Sequence, residues 1–179
     1  ILYRLVGSEM CIRDSFMCAI PLDIARGGGR ALRSAIRELE AGRCVLIFPE
    51  GRRTEDGRMA RFRGGVLLLA RKTNAPVVPL AIDGSWDAWS RHRKLPRLGA
   101  AIGMRIGEPI PAEVLGAMEE AEALEHLKRE VEKLRLEVRG DLRRATRGAW
   151  PKPGLADVPY WAEQDAHPSE ISPEAEGKD

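Results

Sequence analysis

The stretch that decides the fold is CVLIFPEGRRT, residues 44–54. Residues 44–48 form a continuous apolar run, which predicts a strand buried on both faces of a parallel sheet. Pro49 ends the run because proline has no backbone N–H to donate, and Gly51 allows a tight or left-handed turn. An arginine-containing loop therefore follows the carboxyl end of a predicted buried strand, where open α/β sheets bind ligands.

The loop residues are suited to holding an anion. Arg52, Arg53 and the Thr54 hydroxyl supply hydrogen-bond donors, and residues 43–72 hold eight basic side chains against three acidic ones, a local charge of +5. We expect Glu50, a carboxylate in the same turn, to orient the arginines or to accept a substrate hydroxyl. On residue types alone, a structural turn with a solvated basic face is an equal alternative to a phosphate site.

Helix and strand signals alternate around this stretch. Residues 16–22 are a short strand candidate, and the glycines at 27–29 precede a helix with one apolar face that Gly42 is expected to cap. Downstream, residues 66–72 predict a helix and residues 76–82 the next buried strand. The sequence therefore predicts an α/β fold with a central, mostly parallel sheet flanked by helices.

Four segments follow the last of these strands. Residues 83–99 form a loop with two tryptophans and several basic residues, a pattern that suits an anionic bilayer, single-stranded nucleic acid or an ordinary exposed loop. Residues 100–106 predict a strand. Residues 111–147 predict a helical extension, whose Leu and Val stripe favours packing on its own domain over a coiled coil. The prolines and acidic residues of 148–179 predict a disordered tail.

Composition excludes several classes of protein. The chain has 179 residues, 44% of them hydrophobic, which suits one globular domain. Its apolar runs are far shorter than the roughly 18 residues of a membrane span, so the sequence predicts no transmembrane segment. The three cysteines lack C-x-x-C spacing, which argues against a disulfide framework and against a zinc site.

The net charge of +2 conceals an asymmetry. Residues 150–179 carry −5 and the rest of the chain carries +7. A basic body suits a phosphorylated small molecule, a phospholipid surface or nucleic acid as partner. Basic residues that merely solvate the surface are an equal alternative.

Three ordered blocks of the sequence resemble the glycerolipid acyltransferase family, typified by bacterial 1-acylglycerol-3-phosphate acyltransferases. Residues 48–54 are similar to the family's F-P-E-G-T-R-S block, residues 75–82 to its V-P-V-V-P-V-x-I block and residues 18–24 to its G-x-I-P-V-D-R block. Blocks in the expected order are far more specific than any one motif. The resemblance covers about residues 16–110 and implies a glycerol-3-phosphate acyltransferase-like fold.

The resemblance implies an acceptor site in the first of these blocks. Glu50, Gly51 and Arg53 match the motif residues that bind the glycerol phosphate acceptor. Thr54 matches the small hydroxyl residue of the motif, and Arg52 stands where the family usually has threonine.

Two further residues complete the implied substrate-binding set. Arg26 is a candidate for the positive charge of the block at 18–24, in which Ile24 replaces the family's arginine and Cys18 its glycine. Pro79 is expected to shape the wall of the acyl or acceptor pocket. The glycines after Arg26 also suit a phosphate cradle of backbone N–H groups, although a plain connecting turn is the favoured interpretation.

The family's catalytic block, H-x-x-x-x-D, is absent from this sequence. In the family, histidine removes the proton of the acceptor hydroxyl as that hydroxyl attacks an acyl thioester, and aspartate orients the ring. No histidine of the chain has an aspartate five positions later; the three are His92, His126 and His167.

We therefore expect the N-terminal part of the family's domain, with its catalytic residues, to be missing. Residues 1–15 are expected to be a non-native leader, since they resemble translated sequencing-adaptor read-through. Residues 16–110 are then a partial acyltransferase domain, followed by the helical extension at 111–147 and the tail at 148–179.

The resemblance implies a role in phospholipid biosynthesis: transfer of a fatty acyl group from acyl-CoA or acyl carrier protein to lysophosphatidic acid or a related lysolipid. It implies no metal, no cofactor beyond the acyl donor, a membrane surface as partner, and a parent protein at the cytoplasmic face of the membrane. We expect no nucleic acid partner, and no activity from this chain alone.

The alternative hypothesis is a non-catalytic basic α/β module that binds anionic lipid or nucleic acid. An H-x-x-x-x-D motif encoded upstream of Phe16 would favour the enzyme, and a genuine N-terminus without it would favour the binding module.

Overall fold

The computed structural model describes residues 20, 29–90 and 92–162. Its helices are α1 (Gly29–Glu40), α2 (Gly65–Thr73), α3 (Ser85–Ala88), α4 (Ala112–Gly116) and α5 (Glu120–Ala145). The strands are β1 (Leu80–Asp83) and β2 (Gly103–Ile106), and a 3-10 helix spans Leu155–Asp157. The chain forms two compact units, and α5 contributes residues 120–130 to the first and 131–145 to the second. Within the described ranges, none of the helices has both the length and the apolar character that crossing a membrane requires.

Helix α1 forms where the sequence predicts it. Its apolar residues share one face, on which Ala31 and Ala35 are buried. Gly42, two residues beyond the end of the helix, has a φ of +74° and donates its N–H to Leu39 O at 2.9 Å. The predicted glycine cap is therefore confirmed.

Helix α2 is the centre of the first unit and packs against α1 and α4. Leu67 and Leu69 of α2 and Leu115 of α4 are buried at these contacts. Arg71, near the end of α2, donates Nη2 to Leu115 O at 3.3 Å and to Met118 O at 2.8 Å. These bonds satisfy one carbonyl in the last turn of α4 and one just beyond its end.

Residues 44–48 differ from the predicted buried strand. They carry no regular secondary structure, and Leu46 and Phe48 are 68% and 66% exposed. A strand is buried within a sheet only when neighbouring strands pair with both of its edges, and no described strand lies beside this stretch. Of the strand candidate at 16–22, only Ile20 falls within the described residues.

The predicted central, mostly parallel sheet is accordingly not found in the described residues. Their one sheet is the pair of β1 and β2. An isolated antiparallel bridge joins Val77 to Ile110 in the first unit. The coarser prediction, helices combined with a sheet, holds.

The second unit is built around buried ion pairs. Asp83 at the end of β1 and Glu132, Arg135 and Arg139 of α5 are all buried. Arg139 donates Nη1 to Asp83 Oδ2 at 2.9 Å, and Arg135 donates Nε and Nη2 to the two Glu132 carboxylate oxygens at 2.7 and 2.8 Å. Burial lowers the pKa of Arg135, but the Glu132 hydrogen bond and the Glu132 and Asp83 charges outweigh burial and raise it.

The same two arginines order residues 149–162, where the sequence predicts disorder. Arg135 Nη2 donates to Ala156 O at 2.8 Å, and Arg139 Nε donates to Asp157 Oδ1 at 2.6 Å. The predicted disordered tail is thus corrected for this segment, because guanidinium donors on α5 bind its carbonyl and carboxylate groups. Residues 163–179 lie outside the described part of the chain.

Residues 131–145 of α5 pack on the second unit, as the favoured interpretation of the apolar stripe predicts. Val138 and Leu142 lie where a side chain at Gly103 of β2 would be, so the glycine allows close packing of helix and strand. Arg105, two residues further along β2, donates to Glu137 of α5 at 2.7 Å.

Asp157 makes the stability of the second unit depend on pH. Burial raises its pKa, but the guanidinium groups of Arg143 and Arg139 and the Gly154 N–H outweigh burial and lower it to about 2. A carboxylate with a depressed pKa stabilises the folded chain above its ordinary pKa of 3.8, and that stabilisation is lost as the pH falls toward 2.

We expect Asp157→Asn to lower the free energy of unfolding by about 2 kcal/mol near pH 7 and by about half as much near pH 3. Urea unfolding of both chains across this range measures the difference. A difference of constant size at every pH would contradict an ionic role for Asp157.

Candidate functional site

A glycine turn presents the arginines of residues 48–53. The Gly51 N–H donates to Phe48 O at 3.1 Å, which closes the turn. Gly51 has a φ of +68°, in the left-handed region that residues with a Cβ atom rarely adopt. Arg52 and Arg53 follow it directly and are both exposed.

A third arginine, Arg63, lies against this turn. Its backbone N–H donates to Pro49 O at 2.9 Å. A methyl group added at Gly51 would lie 2.9 Å from Arg63 Nε and 3.2 Å from Arg63 Cζ, so the guanidinium group rests where a side chain at residue 51 would be. Phe62, which precedes Arg63, is buried and anchors this part of the backbone.

The sequence gives no signal that assigns Arg63 to the site. It is one of eight basic residues between positions 43 and 72, and no linear spacing connects position 63 to position 51. The nearest available signal is Phe62, the one aromatic residue of a mostly polar loop, which indicates that the loop returns to the core.

Guanidinium groups on an exposed turn suit a phosphate ligand. Each guanidinium is planar and offers a fork of N–H donors that matches two phosphate oxygens. Arg52, Arg53 and Arg63 are exposed, whereas Glu50 in the same turn is half-buried. The turn thus combines accessible positive charge with one sheltered carboxylate.

Thr54 organises the loop at 54–58, which belongs to the second unit. Its Oγ1 accepts the Gly57 N–H at 3.0 Å and donates to Asp56 Oδ1 at 3.3 Å. Asp56 also accepts the Arg58 N–H at 2.9 Å; this bond, chiefly, lowers the pKa of Asp56 against the opposing effect of burial. The Thr54 hydroxyl therefore already has two partners within its own loop.

The remaining predicted site residues are Pro79 and Arg26. Pro79 is buried, and its carbonyl accepts the Gly107 N–H at 2.9 Å, which fixes the backbone just before β1. Arg26 lies outside the described residues.

The two tryptophans after β1 have partners in the second unit. The Trp86 ring lies 3.0 Å from the position of a methyl group added at Gly57 and meets the His92 ring edge to face at 6.2 Å. Trp89 donates Nε1 to Arg93 O at 3.0 Å. In residues 29–90 and 92–162, no three His, Cys, Asp or Glu side chains lie close enough together to hold a metal ion.

Comparison with known families agrees with the motif at the turn. Residues 15–83 match the protein-family model Acyltransferase. The predicted resemblance to the glycerolipid acyltransferases is confirmed. The residues that match the acyltransferase model include the whole turn, α1, α2 and β1.

Individual acyltransferases are similar to parts of this chain. It is 32% identical over 93 residues to the 1-acyl-sn-glycerol-3-phosphate acyltransferase of Bacillus subtilis, which covers 51% of this chain and 43% of that protein. It is 39% identical over 54 residues to the chloroplastic 1-acyl-sn-glycerol-3-phosphate acyltransferase BAT2 of Brassica napus, covering 30% of this chain and 16% of that one.

A solved structure also matches. The crystal structure of PlsC, the 1-acyl-sn-glycerophosphate (LPA) acyltransferase from Thermotoga maritima, covers 69% of this chain and 46% of its own at 29% identity, with a TM-score of 0.49. The chain thus spans less than half the length of each of these acyltransferases.

The geometry at Gly51 predicts that any larger residue at this position destabilises the fold. Gly51→Ala must place a Cβ atom in the left-handed region and displace Arg63, so we expect it to lower the free energy of unfolding by about 1–2 kcal/mol. Gly116→Ala is the matched control, because that glycine belongs to the same unit, ends a helix and has open space around it. Equal urea midpoints for Gly51→Ala and the unmodified chain would refute this account of the turn.

Proposed function

We propose that this chain is the acceptor-binding part of a phospholipid-biosynthesis enzyme that transfers a fatty acyl group from acyl-CoA or acyl carrier protein to lysophosphatidic acid or a related lysolipid. The observation that carries the proposal is the turn at residues 48–53, in which a positive-φ glycine within acyltransferase sequence presents arginines.

The phosphate of the acceptor binds the arginines of the turn. Arg53 follows Gly51 by two residues and is exposed, and Arg63 lies against the same glycine, so both are available to one phosphate group. Arg52 adds a further charge, and Glu50 orients these groups or accepts the free hydroxyl of the glycerol moiety. Gly51 contributes by leaving space for Arg63. The proposed substrate-binding residues also include Thr54, Arg26 and Pro79.

The reaction requires a base outside the turn. The acceptor hydroxyl attacks the thioester carbonyl, its oxygen bonds to that carbon, the carbon–sulfur bond breaks and the thiol leaves with the proton. A histidine followed five positions later by aspartate performs the proton transfer in this family, and we propose that this pair lies upstream of the position of Phe16 in the parent protein. The reaction needs no metal and no cofactor beyond the acyl donor.

The parent domain is proposed to have the central, mostly parallel sheet that the sequence predicts. The continuous apolar run at residues 44–48 supports this, because an inner strand carries apolar residues on both faces, and Leu46 and Phe48 of the run are exposed. Since the acceptor is a lipid, the domain works at a membrane surface, and we propose the cytoplasmic face.

The chain alone is expected to be catalytically inactive. None of its histidines has an aspartate five positions later, so the acceptor hydroxyl keeps its proton. Incubation with labelled acyl-CoA and lysophosphatidic acid should give no acylated product above the protein-free rate. Turnover that scales with the concentration of purified chain would show that the base lies within it.

Acceptor binding can be tested without turnover. Titration of the chain with glycerol 3-phosphate, followed by calorimetry, should show binding that Arg53→Ala and Arg63→Ala each weaken about tenfold or more, since a charge-assisted hydrogen bond contributes about 1.5–3 kcal/mol.

Arg144→Ala is the matched control, because this arginine is exposed on α5 and belongs to no part of the turn. Affinity that Arg53→Ala leaves unchanged would argue against the phosphate role of the turn. Affinity lost with Arg53→Ala but kept with Arg63→Ala would restrict the site to the motif residues.

A further inference from the structure

One segment of the second unit combines exposed apolar side chains with basic residues, of which Arg105 pairs with Glu137 and Asp141 of α5. Residues 88–107 contain five Lys and Arg residues and no Asp or Glu. Within this segment Leu95 is 77% exposed and Leu98 is 96% exposed. Single exposed leucines are ordinary, but two largely exposed leucines three residues apart in a segment without acidic residues are not.

The apolar surface continues into strand β2. Ile102, which directly precedes β2, and Met104 within it are 56% and 61% exposed, and residues two apart along an extended backbone project from the same face. The opposite face of β2 is covered by α5, since Gly103 lies against Val138 and Arg105 donates to Glu137. Ile102 and Met104 therefore project from the face that α5 leaves uncovered.

Strand β1 adds to the uncovered face. Ala81 and Asp83 are buried, and Asp83 binds Arg139 of α5. Ile82 lies between them and is exposed, so it projects away from α5 as Ile102 and Met104 do. We call residues 93–104 together with Ile82 the outer surface of the second unit.

The positive charges lie at the start of the outer surface. Arg93, Lys94 and Arg97 flank Leu95 and precede Leu98, and all three basic side chains are exposed. Apolar side chains bordered by Lys and Arg are the arrangement that inserts between lipid chains while the cations meet anionic headgroups. Neither solvent nor the polar surface of an acidic protein would supply apolar contacts to Leu95 and Leu98, whereas a lipid bilayer would.

We propose that the outer surface docks this unit on an anionic lipid bilayer, with Leu95 and Leu98 inserted below the headgroups and Arg93, Lys94 and Arg97 at headgroup phosphates. Trp89, hydrogen-bonded to Arg93 O, holds the start of this segment in place. The inference rests on the proposed function only in that a lipid substrate requires a membrane-bound enzyme; the surface itself is defined by exposure and charge.

The test uses sedimentation of the chain with vesicles that contain no lysophospholipid. Vesicles of equal parts phosphatidylcholine and phosphatidylglycerol should bind the chain, and vesicles of phosphatidylcholine alone should bind it about tenfold less or not at all. Raising the salt concentration should weaken binding to the anionic vesicles.

Two sets of variants separate the apolar and the charged contributions. Leu95→Ser with Leu98→Ser should weaken binding about tenfold or more, and Leu155→Ser, another exposed leucine of the same unit, should leave it unchanged. Arg93→Gln and Lys94→Gln should each weaken binding about fivefold, whereas Lys72→Gln, on α2, should not.

The outcomes distinguish this proposal from its alternatives. Equal binding of anionic vesicles by the double serine variant and the unmodified chain would overturn the docking surface. Binding of a single-stranded oligonucleotide with no binding of anionic vesicles would instead assign the surface to nucleic acid. Vesicle binding that survives Arg53→Ala while glycerol 3-phosphate binding does not would show that docking and acceptor recognition are separate properties.

Discussion

The pairing of Arg139 with two aspartates is the interaction on which the second unit depends. Asp83 ends β1 and Asp157 lies in the 3-10 helix, so one guanidinium group joins a strand, a helix and the C-terminal segment. A buried charge is tolerated only where its partners satisfy it, and removing one partner leaves the other charge uncompensated. The three segments therefore have to be in place together. The order of residues 149–162 is a consequence of this pairing and not of their own composition.

Sequence-based prediction succeeds here for features that depend on residues close together in the chain, and it fails for features that depend on distant residues. Helix α1 and its cap at Gly42 depend on residues close together in the sequence, and both are predicted. The parallel sheet depends on partners far from residues 44–48, and the apolar run cannot specify which strands lie beside it. Arg135 and Arg139 have the sequence pattern of a solvated helix face, and only their tertiary contacts with Asp83 show that they are buried.

The candidate site shows the same division. The turn at residues 48–53 is recognisable from sequence because proline, glycine and arginine occur within four positions, 49–52, and because two other blocks occur in the order that the family has. Arg63 is not recognisable, because its relation to Gly51 exists only after the loop has folded back. The Thr54 hydroxyl is the opposite case. Its residue type suits a ligand, but its hydrogen bonds to Gly57 and Asp56 give it a structural role within the loop.

The exposed apolar run at residues 44–48 also bears on aggregation. Among the described residues, the backbone groups of positions 44–47 form no hydrogen bonds to other backbone groups, and the neighbouring side chains of Leu46 and Phe48 are apolar and accessible. Exposed apolar segments with unpaired backbone groups are templates on which further chains add as strands. A strand that pairs with this run would complete a sheet and would also cover the apolar side chains of Leu46 and Phe48.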